Sequence, residues 1–341
     1  MKAVQLIEIG KDLEERDIPT PKPISDEILI RIKAAGICHS DVHYRDGVSS
    51  VGYLPIALGH EIAGEVIELG SEVVEFQIGD RVCLNYMITC GDCKYCVQGT
   101  EQFCVKGKMI GKDIDGGYAE YIAVPTRGVF KVPDAVSLEH AAVMMCSSST
   151  SLHALKKTRF RPGESIAIFG LGGLGISALQ LSKVFGGTEI YAIDIDPKKL
   201  QTAKEFGAIP INAKEVDPVE KIMELTAEEG VDVALELIGI PITMEQGVKS
   251  LARFGRLGLV GITAKTFEIK SYETIGREKE IIGVSDHLLS ELPFLLDLSK
   301  LGKLDLSKVV AKTVPLEAEA INEIHHQLKQ YQSDFRTVII P

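Results

Sequence analysis

The run Gly170-Leu171-Gly172-Gly173-Leu174-Gly175 lies between a strand-like segment, SIAIFG at 165–170, and a helical segment reaching about Gly186. This placement constrains the fold more tightly than any other feature of the chain. A GxGxxG run alone is weak. One that ends a strand and opens a helix is the fingerprint of a dinucleotide-binding βαβ unit, the alternative being a glycine-rich turn without a ligand. Gly170 is expected to make the tight turn, Gly172 to admit a pyrophosphate against bare backbone, and Gly175 to seat the helix on the sheet. The helix start adds N–H groups and a partial positive charge for phosphates. Asp194 closes the next strand, EIYAID at 189–194, 19 residues beyond Gly175. A carboxylate there accepts hydrogen bonds from ribose hydroxyls and repels a 2′-phosphate, which favours NAD over NADP. Asp196, directly before Pro197, is the better helix cap, so Asp194 is expected to stay free for the ribose.

The alternation continues through IPINA (209–213), VDVALELIG (231–239), RLGLVGI (256–262) and EIIGVSD (280–286), with helical segments between. Strands alternating with helices are the pattern of an α/β, doubly wound parallel sheet. Val219, Ile222, Met223 and Thr226 fall at i, i+3, i+4 and i+7, and Met244, Val248 and Leu251 follow the same stripe in outline. Asp217 before Pro218 repeats the cap signal of Asp196.

Residues up to about 150 have another texture: short β-branched runs such as EILIRIKAAGI, EIAGEVIELG, DRVCLNY and AEYIAV, broken by glycine and proline. The tail beyond about 288 returns to it, with helical HLLSELPFLLDLSKLG, strand-like KVVAKTV, a polar helix and a closing RTVIIP. The αβ unit therefore reads as inserted into, or flanked by, a split β-rich domain. A chain of 341 residues accommodates two such domains.

Within the first region stands Cys90-x2-Cys93-x2-Cys96-x7-Cys104. Four thiolates on one short lobe can close a tetrahedron around Zn²⁺, and a site so saturated is structural rather than catalytic. Gly91 and Gly99 let the loop turn sharply enough to point all four inward. Disulfides fit poorly with seven cysteines in a long chain without a secretory signal, and the cytoplasm is the expected compartment. The net charge of −11 argues against nucleic acid or an anionic membrane surface as partner. Cys83 in DRVCLNY reads as a core thiol, and His325 and His326 as side chains on a solvated helix.

Three further donors sit in informative settings: Cys38 in GICHSDVH, His60 beside Glu61 in GHEIAG, and Cys146 in VMMCSSST. One imidazole and two thiolates are a ligand set for catalytic zinc that leaves a position for water or substrate. The alternative for Cys146 is a small buried residue before a serine-rich helix start, with Ser147 to Ser151 as caps.

Gly59-His60-Glu61-x2-Gly64-x5-Gly70-x2-Val73, with Cys38-His39-Ser40-Asp41, GGYAEY at 116–121, the cysteine lobe and GLGGLG, resembles the zinc-containing alcohol dehydrogenase family of the medium-chain dehydrogenase/reductase superfamily. The resemblance spans essentially the whole chain. It implies a GroES-like catalytic domain at 1–152 and 288–341, with a structural zinc lobe at about 86–108, and a Rossmann NAD-binding domain at 153–287. It also implies Cys38, His60 and Cys146 as catalytic zinc ligands, with Glu61 as the nearby carboxylate. Asp41 would orient the ligating imidazole. Ser40 and His43 occupy the proton-relay positions, and Thr150 a position lining the nicotinamide. His39 and Arg336 occupy basic positions near the pyrophosphate, Lys199 one near the adenosine ribose, and Tyr86 one walling the substrate pocket. The activity implied is reversible hydride transfer between a primary or secondary alcohol and NAD, with two zinc ions per chain, in a dimer or tetramer. A polyol dehydrogenase of the same superfamily is the nearest rival, although its members often replace the Cys146 thiolate by glutamate. A zinc-stabilised nucleotide-binding protein without catalysis is the rival from another class.

Overall fold

The computed structural model describes residues 1–330 and 335–341. The chain divides into two compact units. One comprises Met1–Ser149, Leu288–Gly302 and Leu306–Pro341, and the other Thr150–His287 with Lys303–Asp305.

The first unit is built on a mixed sheet whose strands run in the order Val129–Lys131, Arg81–Leu84, Glu61–Leu69, Glu27–Ile37, Arg336–Ile340, Val310–Pro315. The long strand Glu27–Ile37 organises it. It pairs antiparallel with Glu61–Leu69, with Tyr121–Pro125 and, near its end, with the C-terminal strand, where Thr337 lies opposite Ile37. The tail thus returns to the sheet laid down by the first residues. Ile28, Ile30, Ile32, Ile62, Val66 and Ile339 bury their side chains in one core with Leu58 and Tyr118. At about 25 cal/mol per Å² of apolar surface removed from water, side chains of this size contribute roughly 1.5–3 kcal/mol each. Helix Ala318–Lys329 packs its Ile321, Ile324 and Leu328 face into the same core.

The second unit is a six-stranded parallel sheet: β1 (Ile166–Phe169), β2 (Ile190–Asp194), β3 (Ile209–Asn212), β4 (Val231–Glu236), β5 (Leu251–Leu259) and β6 (Glu280–Gly283), in spatial order 3-2-1-4-5-6. That order is the doubly wound Rossmann arrangement, with its reversal between β1 and β4. Its helices are α1 (Gly173–Val184), α2 (Pro197–Glu205), α3 (Pro218–Leu225) and α4 (Pro241–Lys249). The caps fall where the sequence puts them. Asp196 accepts from Lys198 N at 2.8 Å, and Asp217 from Val219 N at 2.7 Å. β5 starts earlier than the 256–262 read from sequence, because a bulge between its Leu251 and Arg256 pairings lets the chain enter the sheet at Leu251. Phe254, within that bulge, sits at φ +62°, a left-handed conformation that no alternation pattern signals. Among the described residues no helix is long and apolar enough to cross a membrane.

Candidate active site and metal centres

Sulfur, nitrogen and oxygen atoms of Cys38, His60, Glu61 and Cys146 all lie within 4.8 Å of one another, and all four residues are buried. They come from separate elements. Cys38 N-caps helix His39–Arg45, His60 and Glu61 stand at the start of strand Glu61–Leu69, and Cys146 lies on one π-helical turn, Met144–Ser148. The serines after Cys146 do not cap a helix start. Ser147 and Ser149 donate back to the carbonyls of Val143 and Met145, both at 2.9 Å, along a continuous helical path. Gly36 faces Glu61 across the sheet, and a Cβ there would collide with the Glu61 carboxylate. The glycine leaves that carboxylate its room.

The electrostatics are those of titratable donors gathered in a buried place. A hydrogen bond from Cys146 holds Cys38 well below the ordinary thiol range despite its burial, with Arg336 and His60 helping. The same bond, together with burial, pushes Cys146 well up. Burial pushes Glu61 up to about 7 against the pull of Arg336. The Arg336 guanidinium lies 3.1 Å from Glu61 Oε1, yet it is not aligned as a donor, and both Glu61 oxygens lack a hydrogen-bond partner among the described residues. Asp41 Oδ1 lies 3.4 Å from His60 Nδ1, while its Oδ2 accepts from Cys38 N at 2.8 Å and from Tyr118 OH at 3.0 Å. Burial works against a charged His60, but Asp41 and Cys38 outweigh it and hold the imidazole well above its usual range. Two sulfurs, an imidazole and a carboxylate with unused lone pairs, packed in a dry place, fit Zn²⁺.

Around this cluster, Ser40 Oγ lies 3.7 Å from Cys38 Sγ, and the Tyr86 ring meets His60 edge-on at 5.2 Å between centroids. His43 and His39 share one helix with ring centroids 5.0 Å apart, and burial and His43 lower the His39 imidazole. Arg336, close to Glu61, donates to the Ile37 carbonyl at 3.2 Å.

In the cysteine lobe, Cys90, Cys93, Cys96 and Cys104 hold their sulfurs 3.4 Å (Cys104–Cys90), 3.6 Å (Cys93–Cys96) and 3.9 Å (Cys90–Cys96) apart. A tetrahedron with Zn–S bonds of about 2.3 Å has edges of about 3.8 Å, whereas a disulfide needs about 2.05 Å. The spacing is that of a metal cage. Gly91 and Gly99 take φ +81° and +70°, as the tight loop requires.

In the second unit, Gly170 turns at φ +96° after β1, and a Cβ at Gly175 would strike the Gly170 carbonyl. A Cβ at Gly172 would meet nothing within 4 Å, so bare backbone faces open space at the N-terminus of α1. Gly173 begins that helix. This is a cradle suited to a pyrophosphate. Asp194 ends β2 but is not free as expected: it accepts from Leu171 N and Ile195 N, both at 2.7 Å, and from Asp196 N at 3.0 Å. A carboxylate offers about four lone-pair sites, so it ties the glycine loop to β2 and still has capacity for a ligand. Lys199 lies half-buried on α2, and Thr150 is buried at the start of this unit.

Family models for the alcohol dehydrogenase GroES-like domain and for zinc-binding dehydrogenases match residues 24–134 and 173–298. An NAD-dependent alcohol dehydrogenase of Sulfurisphaera tokodaii is 36% identical over 100% of both chains. This chain belongs to the zinc-containing alcohol dehydrogenase family. The crystal structure of the alcohol dehydrogenase from Aeropyrum pernix matches with a TM-score of 0.92 at 33% identity, covering 100% of each chain. Sorbitol dehydrogenase of Bacillus subtilis is 36% identical over 75% of this chain and 73% of its own.

Besides that of a free Asp194, a second expectation is overturned. His325 is not on a solvated face: it is fully buried, with Nε2 3.3 Å from Tyr118 OH, whereas its neighbour His326 is exposed and pairs with Asp12 at 2.8 Å. The signal was present, because Ile321, Ile324, His325 and Leu328 occupy i, i+3, i+4 and i+7 of the buried stripe. Sequence reasoning also missed Gly36, whose partner Glu61 lies on a neighbouring strand, and Tyr118, whose partners Asp41 and His325 lie on two helices.

Proposed function

We propose that this member of the family is an NAD-dependent zinc alcohol dehydrogenase, transferring hydride reversibly between a primary or secondary alcohol and NAD. The observation that carries this reading is the buried cluster of Cys38, His60, Glu61 and Cys146, in the same chain as a glycine cradle at the start of α1. Cys38, His60 and Cys146 would hold the catalytic zinc, Glu61 would stand by as an alternative carboxylate, and the four lobe cysteines would hold a second, structural ion. When bound, the catalytic ion supplies Lewis acidity that lowers the pKa of a substrate hydroxyl and polarises a substrate carbonyl. Ser40 accepts the hydroxyl proton, and His43 passes it to solvent. Asp41 orients the His60 imidazole. Tyr86 walls the substrate's place beside His60.

Gly170, Gly172, Gly173 and Gly175 receive the pyrophosphate, with His39 and Arg336 as basic side chains toward it. Asp194 and Lys199 bind the adenosine ribose, and Thr150 lines the nicotinamide. The cofactor carries out the hydride chemistry, while the protein binds and orients it. The domains proposed are 1–152 with 288–341 for the metal sites and 153–287 for the dinucleotide. A homo-oligomer, dimer or tetramer, in the reducing cytoplasm completes the reading, in keeping with seven free thiols.

The sorbitol dehydrogenase relative favours a polyol as second reading, against which Cys146 stands in the cluster. The test follows NADH formation with primary, secondary and aromatic alcohols and with polyols, alongside zinc analysis. Turnover of simple alcohols by a protein holding two zinc ions per chain is expected. Turnover of polyols alone transfers the assignment to the second reading, and none with either class refutes the catalytic one.

A further inference from the structure

The Asp41 carboxylate that faces His60 Nδ1 at 3.4 Å is itself held by hydrogen bonds that reach further from the cluster. Asp41, fully buried, has both oxygens engaged: Oδ1 with Gly59 N at 3.2 Å and facing His60 Nδ1 at 3.4 Å, Oδ2 with Cys38 N at 2.8 Å and Tyr118 OH at 3.0 Å. Tyr118 has one hydroxyl proton, and an ionised Asp41 can only accept, so that proton points at Asp41. The hydroxyl oxygen must then accept from His325 Nε2, 3.3 Å away, which fixes His325 as the Nε2–H tautomer. The result is a directed chain, His325 to Tyr118 to Asp41, ending beside the imidazole of His60.

Two features show that the outer links are held in place. The Tyr118 ring lies against Gly59, which takes φ +89°, and a Cβ there would run into the ring. The His325 helix is clamped beside helix His39–Arg45: His326 bonds Asp12 at 2.8 Å, Lys329 bonds Asp46 at 2.6 Å, and Asn322 bonds the Leu13 backbone at 2.9 and 3.0 Å. A third feature shows that packing alone does not call for a histidine. His325 shares the buried face of its helix with Ile321, Ile324 and Leu328, and its Nδ1 has no hydrogen-bond partner among the described residues. An apolar side chain would fill this position without the cost of burying an unpaired ring nitrogen.

We propose that Tyr118 and His325 are positioning residues of the metal site: they complete a relay of hydrogen bonds that locks Asp41 and, through it, aims the His60 imidazole at the ion. This rests on the metal reading of the Cys38–His60–Cys146 cluster. Outer partners of a ligating histidine typically govern metal affinity by roughly 10- to 100-fold. Removing the Tyr118 hydroxyl is expected to fall in that range, and cutting the chain one link further out to act several-fold.

The test uses the full-length zinc-loaded protein and three single substitutions. Tyr118→Phe removes one oxygen and keeps the ring. His325→Met removes the donor, and His325→Gln restores an N–H at similar reach. Zinc release to a chromophoric chelator is followed in each, with the cysteine-lobe zinc as internal reference, and the visible bands of the cobalt-substituted cluster report the ligand field. Faster release and shifted cobalt bands in Tyr118→Phe and His325→Met, with recovery in His325→Gln and an unchanged lobe, support the relay. Release rates and bands like the wild type in Tyr118→Phe overturn it while leaving the metal site standing. Absence of metal from the wild-type cluster overturns both the relay and the function it serves.

Discussion

Arg336 Nη2 lies 3.1 Å from Glu61 Oε1, with both side chains buried in the wall of the metal cluster. Burial alone would hold the carboxyl neutral, and the guanidinium draws it back to about 7. Removing one partner of a buried pair typically costs about 3–5 kcal/mol, because the survivor keeps its desolvation without compensation. Arg336→Gln is therefore expected to lower the urea-unfolding free energy by about 3 kcal/mol. A rise in KM for NAD with stability unchanged would instead place the side chain's main role at the dinucleotide.

The two cysteine groups predict opposite phenotypes. Cys38→Ser is expected to abolish turnover with little change in the unfolding midpoint. Cys96→Ser opens a cage whose sulfurs are already set at 3.6 and 3.9 Å from Cys96, and it is expected to lower stability more than activity per folded molecule. Each variant should lose about half the zinc found in the wild type. The reverse pattern of activity and stability would exchange the two assignments.

Asp194 combines two duties, tying Leu171 N to β2 and presenting a carboxylate where the ribose is expected. A like-charge contact with a 2′-phosphate costs about 1–4 kcal/mol depending on its exposure. Asp194→Gly is expected to raise the NADP-to-NAD ratio of kcat/KM by roughly 10-fold or more. It should also weaken NAD itself, since the glycine loop loses its tether. A wild-type enzyme already preferring NADP would show that the carboxylate does not face the ribose.

What the sequence made legible depended on how locally each requirement is written. The turn at Gly170 to Gly175 and the cage at Cys90 to Cys104 need particular residues at fixed short spacings, so the chain displays them directly. Cys38, His60 and Cys146 are far apart in sequence, and only the family's motifs joined them. Gly36 was silent because its reason, the bulk of Glu61, lies on a neighbouring strand. The π-turn carrying Cys146 has no periodic mark in a run of methionines and serines. His325 was misread for a different cause: its type suggested solvent while its position on the helix stripe specified the core, and position prevailed.

That burial gives the protein a distinctive acid response. Burial lowers the His325 imidazole from 6.5 to about 4, so the folded protein keeps it neutral while the unfolded chain protonates it below pH 6.5. The unfolded state then binds more protons than the native one, and stability falls as pH drops. The contribution is fully present above pH 6.5, is lost progressively toward pH 4, and stays lost below that. A shift of this size corresponds to about 3 kcal/mol over the window. Urea titrations of wild type and His325→Gln at a series of pH values isolate it, since every other group is common to both. The stability difference is expected to move in favour of the variant as pH falls from 6.5 to 4. Parallel curves across that range would mean that His325 titrates alike in the folded and unfolded chains, and hence that its ring is solvated.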